Sequence, residues 1–481
     1  MWRGFIDDKP REECGVFGIY APGQDVAQLT YYGLYALQHR GQESAGIAVS
    51  DGAEIQLHKN MGLVAEVFNE TNLGLLKGNL AIGHVRYSTT GASSLANAQP
   101  MVSRSSHGSF CLAHNGNLTN VAELRQTLGR SGAIFRSTSD SELILNFITC
   151  FRQNSLPETI KQCMGYLKGA YSLVVMTKNQ LIGVRDPRGI RPLCLGKLGK
   201  GYVLASESCA LDAIGARLVR DIKPGEIVVI DESGLKSVQV PPARHRSLCI
   251  FEYIYLARQD SIIDGETVNM VRQAFGRQLA RECRVDADMV IPVPDSGRVA
   301  ALGYSETAGL PFKEGLTKNR YVGRTFIQPV QNLRELGVRL KFNPIKDIFK
   351  GQRVVMVDDS IVRGTTCRQI VKMLREAGAR EVHFMVASPP VLYPCYYGID
   401  TASPGQLLAA RCSQEEIQKY LGVDSLYYLS LRGLLAAFKA PAQEFCTACF
   451  DGQYPIAVSA FTALDNQQGP DVCIMPEFGI I

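Results

Sequence analysis

The sequence has no long hydrophobic run. No apolar stretch approaches the roughly 18 residues that a membrane-spanning helix needs. The first 13 residues, MWRGFIDDKPREE, lack the apolar core of a signal peptide and are too acidic for a transit peptide. These absences predict a soluble, cytoplasmic protein that has no membrane partner.

A strong excess of one charge is also missing. The 51 Lys and Arg residues against 46 Asp and Glu leave a net charge of +5, and no basic run resembles a nucleic-acid-binding surface. We therefore expect no nucleic-acid partner. No internal repeat or low-complexity segment occurs, and 481 residues, of which 46% are hydrophobic, predict a globular protein of roughly three domains.

The 14 cysteines do not predict a disulfide framework, because reducing compartments keep thiols reduced. Metal binding, catalysis and simple burial remain as their roles. The motifs that surround particular cysteines are needed to choose between these roles.

From Cys14 to about residue 240, short apolar strands are separated by Gly, Asn and Ser, as in GVFGIYA, SAGIAVS, NLAIGHVRYS, YSLVVMT and EIVVIDES. Residues 27–41, AQLTYYGLYALQHRG, carry apolar residues at helical spacing and predict a helix that stops at Gly41. Many strands with few helices predict layered antiparallel sheets. Residues 240–246, VPPARHR, predict a linker.

The pattern changes after about Gly265. The stretches MVIPVP, RVVMVDD and EVHFMVASPP are continuous apolar strands, and the first two precede a turn and a helix. Strands that are buried on both faces and alternate with helices predict a parallel α/β sheet. Ser413 and Glu416, at capping-box spacing, predict one more helix before the tail.

Residues 354–366, VVMVDDSIVRGTT, predict a phosphate site. A buried strand ends at two acids, and a turn rich in Ser, Gly and Thr then opens a helix, whose N-terminus favours an anion. Asp358 and Asp359 suit ribose hydroxyls or a Mg²⁺ ion instead of the phosphate itself. The alternative is an ordinary strand-to-helix turn with solvated acids.

This stretch resembles the phosphoribosyl pyrophosphate (PRPP) signature of the phosphoribosyltransferases. Residues 293–297, VPDSG, resemble the pyrophosphate loop of that family, which implies that Ser296 joins Asp358 and Asp359 in binding Mg²⁺. Residues 315–329, GLTKNRYVGRTFIQP, resemble a mobile lid over a polyanion, although a solvated cationic face is the alternative. The residues implied to bind PRPP are Asp295, Ser296, Gly297, Lys318, Arg320, Asp358, Asp359, Ser360, Arg363, Gly364, Thr365 and Thr366, and Arg324 is a third lid cation.

Cys14 is either a small buried hydrophobe at the start of a strand or a nucleophile. Free cysteine is among the most buried residue types, which favours the first interpretation. Four downstream fragments favour the second, since HRGQESAGI, GHVRYSTTG, HNGNL and STSDSE resemble the glutaminase domain of the N-terminal-nucleophile amidotransferases. An N-terminal amine, with a pKa of about 8, can act as base toward its own thiol, whereas an internal cysteine has no such base.

The glutaminase resemblance assigns a role to four other residues. Asn115 and the N–H of Gly116 would stabilise the oxyanion that forms at the glutamine amide. Arg86 would bind the substrate carboxylate and Asp140 its ammonium group. A turn, a surface cation and a helix cap are the ordinary alternatives for these residues. The nucleophile hypothesis also requires removal of residues 1–13.

Together the two halves resemble the glutamine PRPP amidotransferases (amidophosphoribosyltransferases). The resemblance implies an α/β and α+β fold: a four-layer αββα domain of the N-terminal-nucleophile hydrolase type, then a type I phosphoribosyltransferase α/β domain. It implies that glutamine, PRPP and water give 5-phosphoribosylamine, glutamate and pyrophosphate in the first committed step of purine synthesis, with ammonia passing inside the protein. Purine nucleotides as feedback inhibitors and a homotetramer are further implications. The expected divisions are 1–13 propeptide, 14–240 glutaminase, 241–264 linker and cluster-ligand segment, 265–440 phosphoribosyltransferase and 441–481 cluster-binding tail.

Cys446 and Cys449, in FCTACF, have the spacing of metal ligands, and Cys249 and Cys395 could complete a set of four thiolates. Four sulfur ligands suit either zinc or an iron–sulfur cluster. One branch of the resembling family carries a [4Fe–4S] cluster on cysteines in these settings, and the sequence is similar to that branch.

Four other functions compete with this interpretation. A hexosamine-phosphate synthase or a glutamate synthase would share the glutaminase but not VVMVDDSIVRGTT. A PRPP-sensing DNA-binding regulator would have a basic winged-helix head in place of the glutaminase. An inactive amidotransferase paralogue would keep every motif.

Overall fold

The computed structural model describes residues 14–87, 93–105, 108–130, 132–151, 155–319, 339–399 and 404–458. Within these ranges no helix is both long and apolar enough to cross a membrane. Two large antiparallel sheets occupy the first half of the chain, and a parallel sheet occupies the second half.

The strands of the first half are short, as the sequence predicts. They are β1 (Gly15–Tyr20), β2 (Ser44–Ser50), β3 (Ile55–Met61), β4 (Leu80–Arg86), β5 (Met101–Ser105), β6 (Gly108–Leu118), β7 (Gly169–Met176), β8 (Leu181–Arg185), β9 (Cys194–Leu198), β10 (Gly201–Ala205), β11 (Arg217–Asp221), β12 (Glu226–Asp231) and β13 (Gly234–Gln239). The helices between them are α1 (Val26–Ala36), α2 (Val64–Val67), α3 (Glu70–Leu75), α4 (Val121–Arg130), α5 (Asp140–Cys150), α6 (Leu156–Cys163) and α7 (Cys209–Asp212).

The two antiparallel sheets place β1 near the centre of the first half. One sheet has the strand order β11-β9-β10-β1-β4-β2-β3, and the other has the order β13-β12-β8-β7-β6-β5. Alternate residues of β1 face opposite sides, because Val16 packs between the sheets and Phe17 packs under the helices. Helices α4, α5 and α6 cover the outer face of the second sheet. These layers confirm the predicted four-layer αββα arrangement.

The predicted helix over residues 27–41 is shorter in the structure. Helix α1 ends at Ala36, and residues Gln38–Arg40 form a 3₁₀ turn. The apolar spacing stops at Leu37, and the side chains of His39 and Arg40 then turn inward to contact the buried Glu207 carboxylate. These polar contacts break the helix before Gly41.

The second half contains shorter strands and longer helices. The strands are β14 (Leu248–Cys249), β15 (Ile262–Ile263), β16 (Glu266–Thr267), β17 (Met289–Pro292), β18 (Leu316–Lys318), β19 (Phe342–Pro344), β20 (Arg353–Asp358), β21 (Glu381–Val386), β22 (Ser425–Tyr428) and β23 (Phe445–Cys446). The helices are α8 (Val268–Glu282), α9 (Arg298–Ala308), α10 (Lys346–Phe349), α11 (Thr365–Glu376), α12 (Leu408–Arg411), α13 (Gln414–Leu421), α14 (Leu431–Leu435) and α15 (Ala448–Asp451), with a π-helix at Glu252–Leu256.

Strands β17, β20, β21 and β22 form a parallel sheet in that order. Helices α8 and α9 cover one face, where they pack on Val355 and Val357. Helices α11 and α13 cover the other face, where they pack on Val354 and Met356. The predicted parallel α/β sheet is confirmed, and so is the predicted capping box, which opens α13.

Candidate active sites

Cys14 lies immediately before β1 and is buried. Its Sγ donates to the carbonyl oxygen of Tyr87 at 3.4 Å, and its own carbonyl oxygen accepts a hydrogen bond from Arg40 Nε at 3.2 Å. Strand β1 pairs with β10 on one side and β4 on the other. The candidate nucleophile is therefore held at the end of a central strand.

Arg86 ends strand β4 beside Cys14. The antiparallel register pairs Gly15 with Val85, so one further step along each strand brings Cys14 opposite Arg86. The Arg86 side chain is buried, and its Nη1 lies 3.3 Å from Glu43 Oε2. A buried guanidinium at this position is suited to a substrate carboxylate.

Asn115 and Gly116 lie on β6, in the sheet that faces β1. The Asn115 amide is fully buried, and its Oδ1 has no hydrogen-bond partner among the described residues. Gly116 has a φ of +140°, and a Cβ there would lie 2.1 Å from the carbonyl oxygen of Ala170. Only glycine fits this position. A side chain would push the backbone away from Ala170 and so change the orientation of the Gly116 peptide group.

Ser206 is a component of this site that the sequence analysis does not predict. Its Oγ accepts a hydrogen bond from Val16 N at 2.9 Å and another from Asn115 Nδ2 at 3.5 Å. Ser206 N in turn donates to the carbonyl oxygen of Val16. This one buried hydroxyl therefore connects the nucleophile strand to the candidate oxyanion amide.

Asp140 is the first residue of α5, and its side chain is nearly fully buried. Its Oδ2 accepts the N–H of Leu118 at 3.0 Å, and its Oδ1 lies 3.7 Å from His114 Nδ1. Burial works to raise the pKa of Asp140, but His114 and the backbone N–H groups outweigh it and hold the pKa below its ordinary value. The carboxyl is therefore ionised at neutral pH, as the binding of an ammonium group requires.

Two buried histidines lie behind these residues, and neither was predicted. His114 Nδ1 lies 3.1 Å from Ser141 Oγ, and His84 Nε2 lies 3.0 Å from the carbonyl oxygen of His114. Burial lowers the pKa of His84 to about 3, so this ring is neutral at physiological pH. His114 belongs to the HNG fragment and His84 to the GHVR fragment, but neither fragment shows which way its ring points.

The two predicted parts of the PRPP site meet at one edge of the parallel sheet. A Cβ on Gly297 would lie 2.5 Å from the carbonyl oxygen of Val357 and 3.0 Å from Cα of Asp358. The loop after β17, which includes Asp295 and Ser296, therefore packs directly against the end of β20. Both strands present their carboxyl ends here, which is where ligands bind in open α/β sheets.

Asp358, Asp359 and Ser360 follow one another at the end of β20, and all three are buried. Asp359 N donates to Asp358 Oδ1 at 2.8 Å, and Ser360 Oγ donates to Asp359 Oδ1 at 2.6 Å. Arg272, on α8, is a source of positive charge near Asp359, and burial lowers its pKa to about 10. Short hydrogen bonds therefore hold the two acids in place, and the positive charge of Arg272 lies near Asp359.

Helix α11 begins at Thr365, directly after Gly364, and Thr366 lies in its first turn. Arg363 Nη2 donates to Gln406 Oε1 at 3.1 Å. Lys318, at the end of β18, forms an ion pair with Asp295 in the loop after β17. The other two predicted lid cations, Arg320 and Arg324, lie outside the described residues.

The four cysteines of the predicted cluster line one small cavity together with Arg191 and Tyr397; they are Cys249, Cys395, Cys446 and Cys449. Strands β14 and β23 run parallel here and pair Cys249 with Cys446. Burial raises the pKa of Cys446 to about 12, and burial together with the three neighbouring thiols raises the pKa of Cys449. These two thiols are neutral at pH 7 unless a cation stabilises their thiolates.

Four sulfur donors around one cavity suit either zinc or an iron–sulfur cluster. Across the described residues, no three His, Cys, Asp or Glu side chains form a group that could hold a metal ion.

Known families match both halves of the chain. A profile described as "Glutamine amidotransferase domain" matches residues 84–213, and one described as "Phosphoribosyl transferase domain" matches residues 270–388. The amidophosphoribosyltransferase of Synechococcus elongatus is 53% identical over 457 residues, which are 94% of this chain and 93% of that protein. The Bacillus subtilis enzyme of the same name is 49% identical over 460 residues, 95% of this chain and 96% of that protein.

The chain belongs to the amidophosphoribosyltransferase family. A solved amidophosphoribosyltransferase, described as glutamine PRPP amidotransferase from B. subtilis complexed with ADP and GMP, has a TM-score of 0.88 at 48% identity. The match covers 93% of this chain and 98% of that structure. The fold of a glutaminase half followed by a phosphoribosyltransferase half is therefore that of solved family members.

Proposed function

We propose that the protein transfers the amide nitrogen of glutamine to C1 of PRPP, giving 5-phosphoribosylamine, glutamate and pyrophosphate. The observation that carries this proposal is that the candidate residues of each half lie together, with Cys14 beside Arg86 and the loop after β17 against the end of β20, in a chain of the amidophosphoribosyltransferase family. The reaction is a pentosyl transfer and the first committed step of purine synthesis. The regulator alternative is not favoured. Relatives named amidophosphoribosyltransferase align over 94% or 95% of this chain, and the alignment therefore includes the glutaminase half.

The glutaminase half-reaction needs removal of residues 1–13, which we propose as a processing step. The free α-amine of Cys14 then takes the thiol proton, and the thiolate attacks the amide carbon of glutamine. Asn115 Nδ2 and the N–H of Gly116 stabilise the oxyanion, which collapses to a γ-glutamyl thioester with loss of ammonia. Water hydrolyses the thioester to glutamate. Arg86 and Asp140 bind the α-carboxylate and α-ammonium of the substrate.

The transferase half-reaction uses the edge of the parallel sheet. The first turn of α11, with Arg363 and Thr366, binds the 5-phosphate, because a helix N-terminus offers unpaired N–H groups. Asp358 and Asp359 bind the ribose hydroxyls, and Lys318 and Arg320 bind the pyrophosphate. Ammonia replaces pyrophosphate at C1, so that a C–N bond forms as the C–O bond breaks. The remaining proposed PRPP contacts are Asp295, Ser296, Gly297, Ser360, Gly364 and Thr365.

We propose Ser296, Asp358 and Asp359 as the Mg²⁺ ligands, because two buried carboxylates and a hydroxyl are hard oxygen donors. Bound Mg²⁺ supplies charge neutralisation on the departing pyrophosphate. The protein's own residues orient the diphosphate and exclude water from C1. Without a cation between them, the two adjacent acids and the pyrophosphate of the substrate would repel each other.

We propose a [4Fe–4S] cluster on Cys249, Cys395, Cys446 and Cys449, supported by the cavity that these four cysteines share. The ligands come from three separate parts of the chain, so the group would pin the C-terminal tail to the middle of the protein. A role in structure follows from that placement.

The remaining proposals concern partners and organisation. ADP and GMP bound to the B. subtilis relative support purine nucleotides as feedback inhibitors of this protein. We further propose a homotetramer, a cytoplasmic location, and the division of the chain at residues 13, 240, 264 and 440 that the sequence predicts. Unchanged turnover at millimolar AMP, ADP or GMP would refute the regulatory proposal.

Amide-labelled [¹⁵N]glutamine tests the proposed function. With PRPP and Mg²⁺, the purified enzyme should transfer the label to phosphoribosylamine and release one pyrophosphate for each glutamate. Label that appears only as free ammonium would refute the transfer. Glutamine hydrolysis without any pyrophosphate release, even with added ammonia, would refute the transferase half.

A further inference from the structure

Residues 395–398 lie in the loop that follows β21. This segment contacts β6, the strand that carries Asn115 and Gly116. Asn117 Nδ2 donates to the carbonyl oxygen of Tyr396 at 3.0 Å. Gly398 has a φ of +120°, and a Cβ there would lie 3.2 Å from the carbonyl carbon and 3.3 Å from Cα of Gly116. Backbone from the second half of the chain therefore lies so close to Gly116, the candidate source of an oxyanion donor, that a side chain at Gly398 would crowd it.

A second connection joins the same segment to the nucleophile. Arg191 donates from Nε and Nη2 to the carbonyl oxygen of Tyr397, at 3.1 and 2.9 Å. Its Nη1 lies 3.4 Å from Oε1 of Glu252, and that carboxylate accepts Arg40 Nη2 at 2.7 Å and Nη1 at 3.0 Å. Arg40 Nε completes the connection at the Cys14 carbonyl oxygen.

These connections are built from charged groups that are almost completely buried. The side chains of Arg40, Arg191 and Glu252 are at most 1% exposed. Hydrogen bonds between ionised groups in such surroundings are short and directional, and removal of one partner leaves a buried charge unpaired. The connection is therefore stiff enough to fix the position of a backbone carbonyl.

We propose that the 395–398 segment is a positioning element of the glutaminase site. It supports Gly116 directly and holds Cys14 through Arg191, Glu252 and Arg40. An oxyanion hole works because its donors are fixed before the charge develops, so a shift of this support reduces the rate of attack more than the binding of glutamine. The inference rests on the proposed function and extends it: the first half of the chain alone lacks part of its glutaminase site.

The segment begins at Cys395, one of the four cysteines around the shared cavity. Tyr397 N donates to Cys395 Sγ at 3.3 Å, and Arg191 lines the same cavity. The cavity therefore shares Arg191 and Tyr397 with the second connection. On this proposal, a change at Cys395 would reach Gly116 through the backbone of its own segment and Cys14 through Arg191, Glu252 and Arg40.

The substitution Gly398→Ala tests the proposal in the full-length processed enzyme. The new Cβ is pressed against Gly116, so we expect glutamine-dependent kcat to fall at least about tenfold with KM for glutamine changed less than about twofold. Alkylation of Cys14 by a chloroketone analogue of glutamine, followed by mass spectrometry, should slow in parallel. Ammonia-dependent synthesis of phosphoribosylamine, which does not use this site, should stay within about twofold.

Gly234→Ala is the matched control, because Gly234 has a φ of +105° and no atom within 4 Å of an added Cβ. It should leave both activities unchanged. Asn117→Ala, which removes the hydrogen bond to Tyr396 without strain, is a second variant and should lower glutamine-dependent kcat in the same direction.

Three results would overturn the proposal: unchanged glutamine-dependent kcat in both variants, an equal fall of the ammonia-dependent rate, or a rise in KM alone. The failure of the proposed function looks different. In that case the unsubstituted enzyme itself would make no phosphoribosylamine from ammonia and PRPP.

Discussion

At the scale of single residues, Ser206 is the side chain whose role depends most on geometry. The substitution Ser206→Ala removes the hydroxyl that accepts from Val16 N and Asn115 Nδ2. We expect glutamine-dependent kcat to fall by about tenfold, less than the 10²–10³ that follows from loss of an oxyanion donor itself. Steady-state kinetics with glutamine and, separately, with ammonia would measure it.

Ser233→Ala is the control for this substitution, since Ser233 is exposed in the turn between β12 and β13. The ammonia-dependent rate should not change in either variant. A Ser206 variant with normal glutamine-dependent kcat would mean that Asn115 keeps its orientation without this hydroxyl.

His84 predicts a pH dependence of stability. Its pKa is about 3 in the folded protein and about 6.5 in an unfolded chain, so the unfolded state binds the extra proton between these values. The neutral, buried His84 therefore makes its full contribution to the free energy of unfolding above pH 6.5. That free energy should fall by about 2 kcal/mol between pH 7 and pH 5.

The variant His84→Gln lacks this titration. Urea unfolding at pH 7 and pH 5 should therefore show a loss of stability that is about 2 kcal/mol smaller in the variant than in the unsubstituted protein. Equal losses in the two proteins would contradict a neutral, buried His84.

The sequence predicts Arg86, Asn115 and Asp140 as site residues because the fragments around them resemble those of a known glutaminase family. It could not predict Ser206 or His114 in the same way. Ser206 acts through the pairing of β10 with β1, and that register is a property of the folded sheet. The direction in which the His114 ring points depends on where α5 packs.

At the scale of elements, the contact between the loop after β17 and the end of β20 assembles the PRPP site. Gly297→Ala would place a Cβ 2.5 Å from the Val357 carbonyl oxygen and force the loop away from Asp358. We expect KM for PRPP to rise at least about tenfold in both the glutamine- and the ammonia-dependent reactions. Kinetics with varied PRPP would measure this.

Gly405→Ala is the matched control in the same half, because no atom lies within 4 Å of an added Cβ there. Chloroketone labelling of Cys14 without PRPP should be equal in both variants. A normal KM for PRPP in the Gly297 variant would show that the loop can bind pyrophosphate without its packing against β20.

Strand positions were predictable because buried strands in both halves consist of apolar residues that stand out in the sequence. Continuous apolar runs predicted the first residues of β17, β20 and β21 correctly and placed their ends one to four residues too late. The end of α1 was not predictable, since the contacts of His39 and Arg40 with Glu207 join residues 167 or more positions apart. Long-range polar contacts override local helical spacing in this case.

At the scale of the whole molecule, the four cysteines join distant parts of the chain. Cys446→Ser should abolish iron binding and absorbance near 400 nm, if the cavity holds a cluster. It should also lower the thermal midpoint, because β14 and β23 would lose the proposed group that ties them together. Iron analysis, absorbance spectra and thermal unfolding would measure these effects.

Cys150→Ser is the control, because Cys150 is exposed and lies on α5, outside the cysteine cavity. It should keep iron, colour and thermal midpoint. A colourless unsubstituted protein that contains zinc would contradict the cluster and leave the cavity as a zinc site.

Catalysis by the proposed mechanism needs Cys14 to be the first residue, because its own amine is the base. Intact mass and N-terminal sequencing of protein that hydrolyses glutamine, purified without an N-terminal tag, would show where the chain begins. We expect it to begin at Cys14. An active chain that still carries any of residues 1–13 would rule this mechanism out.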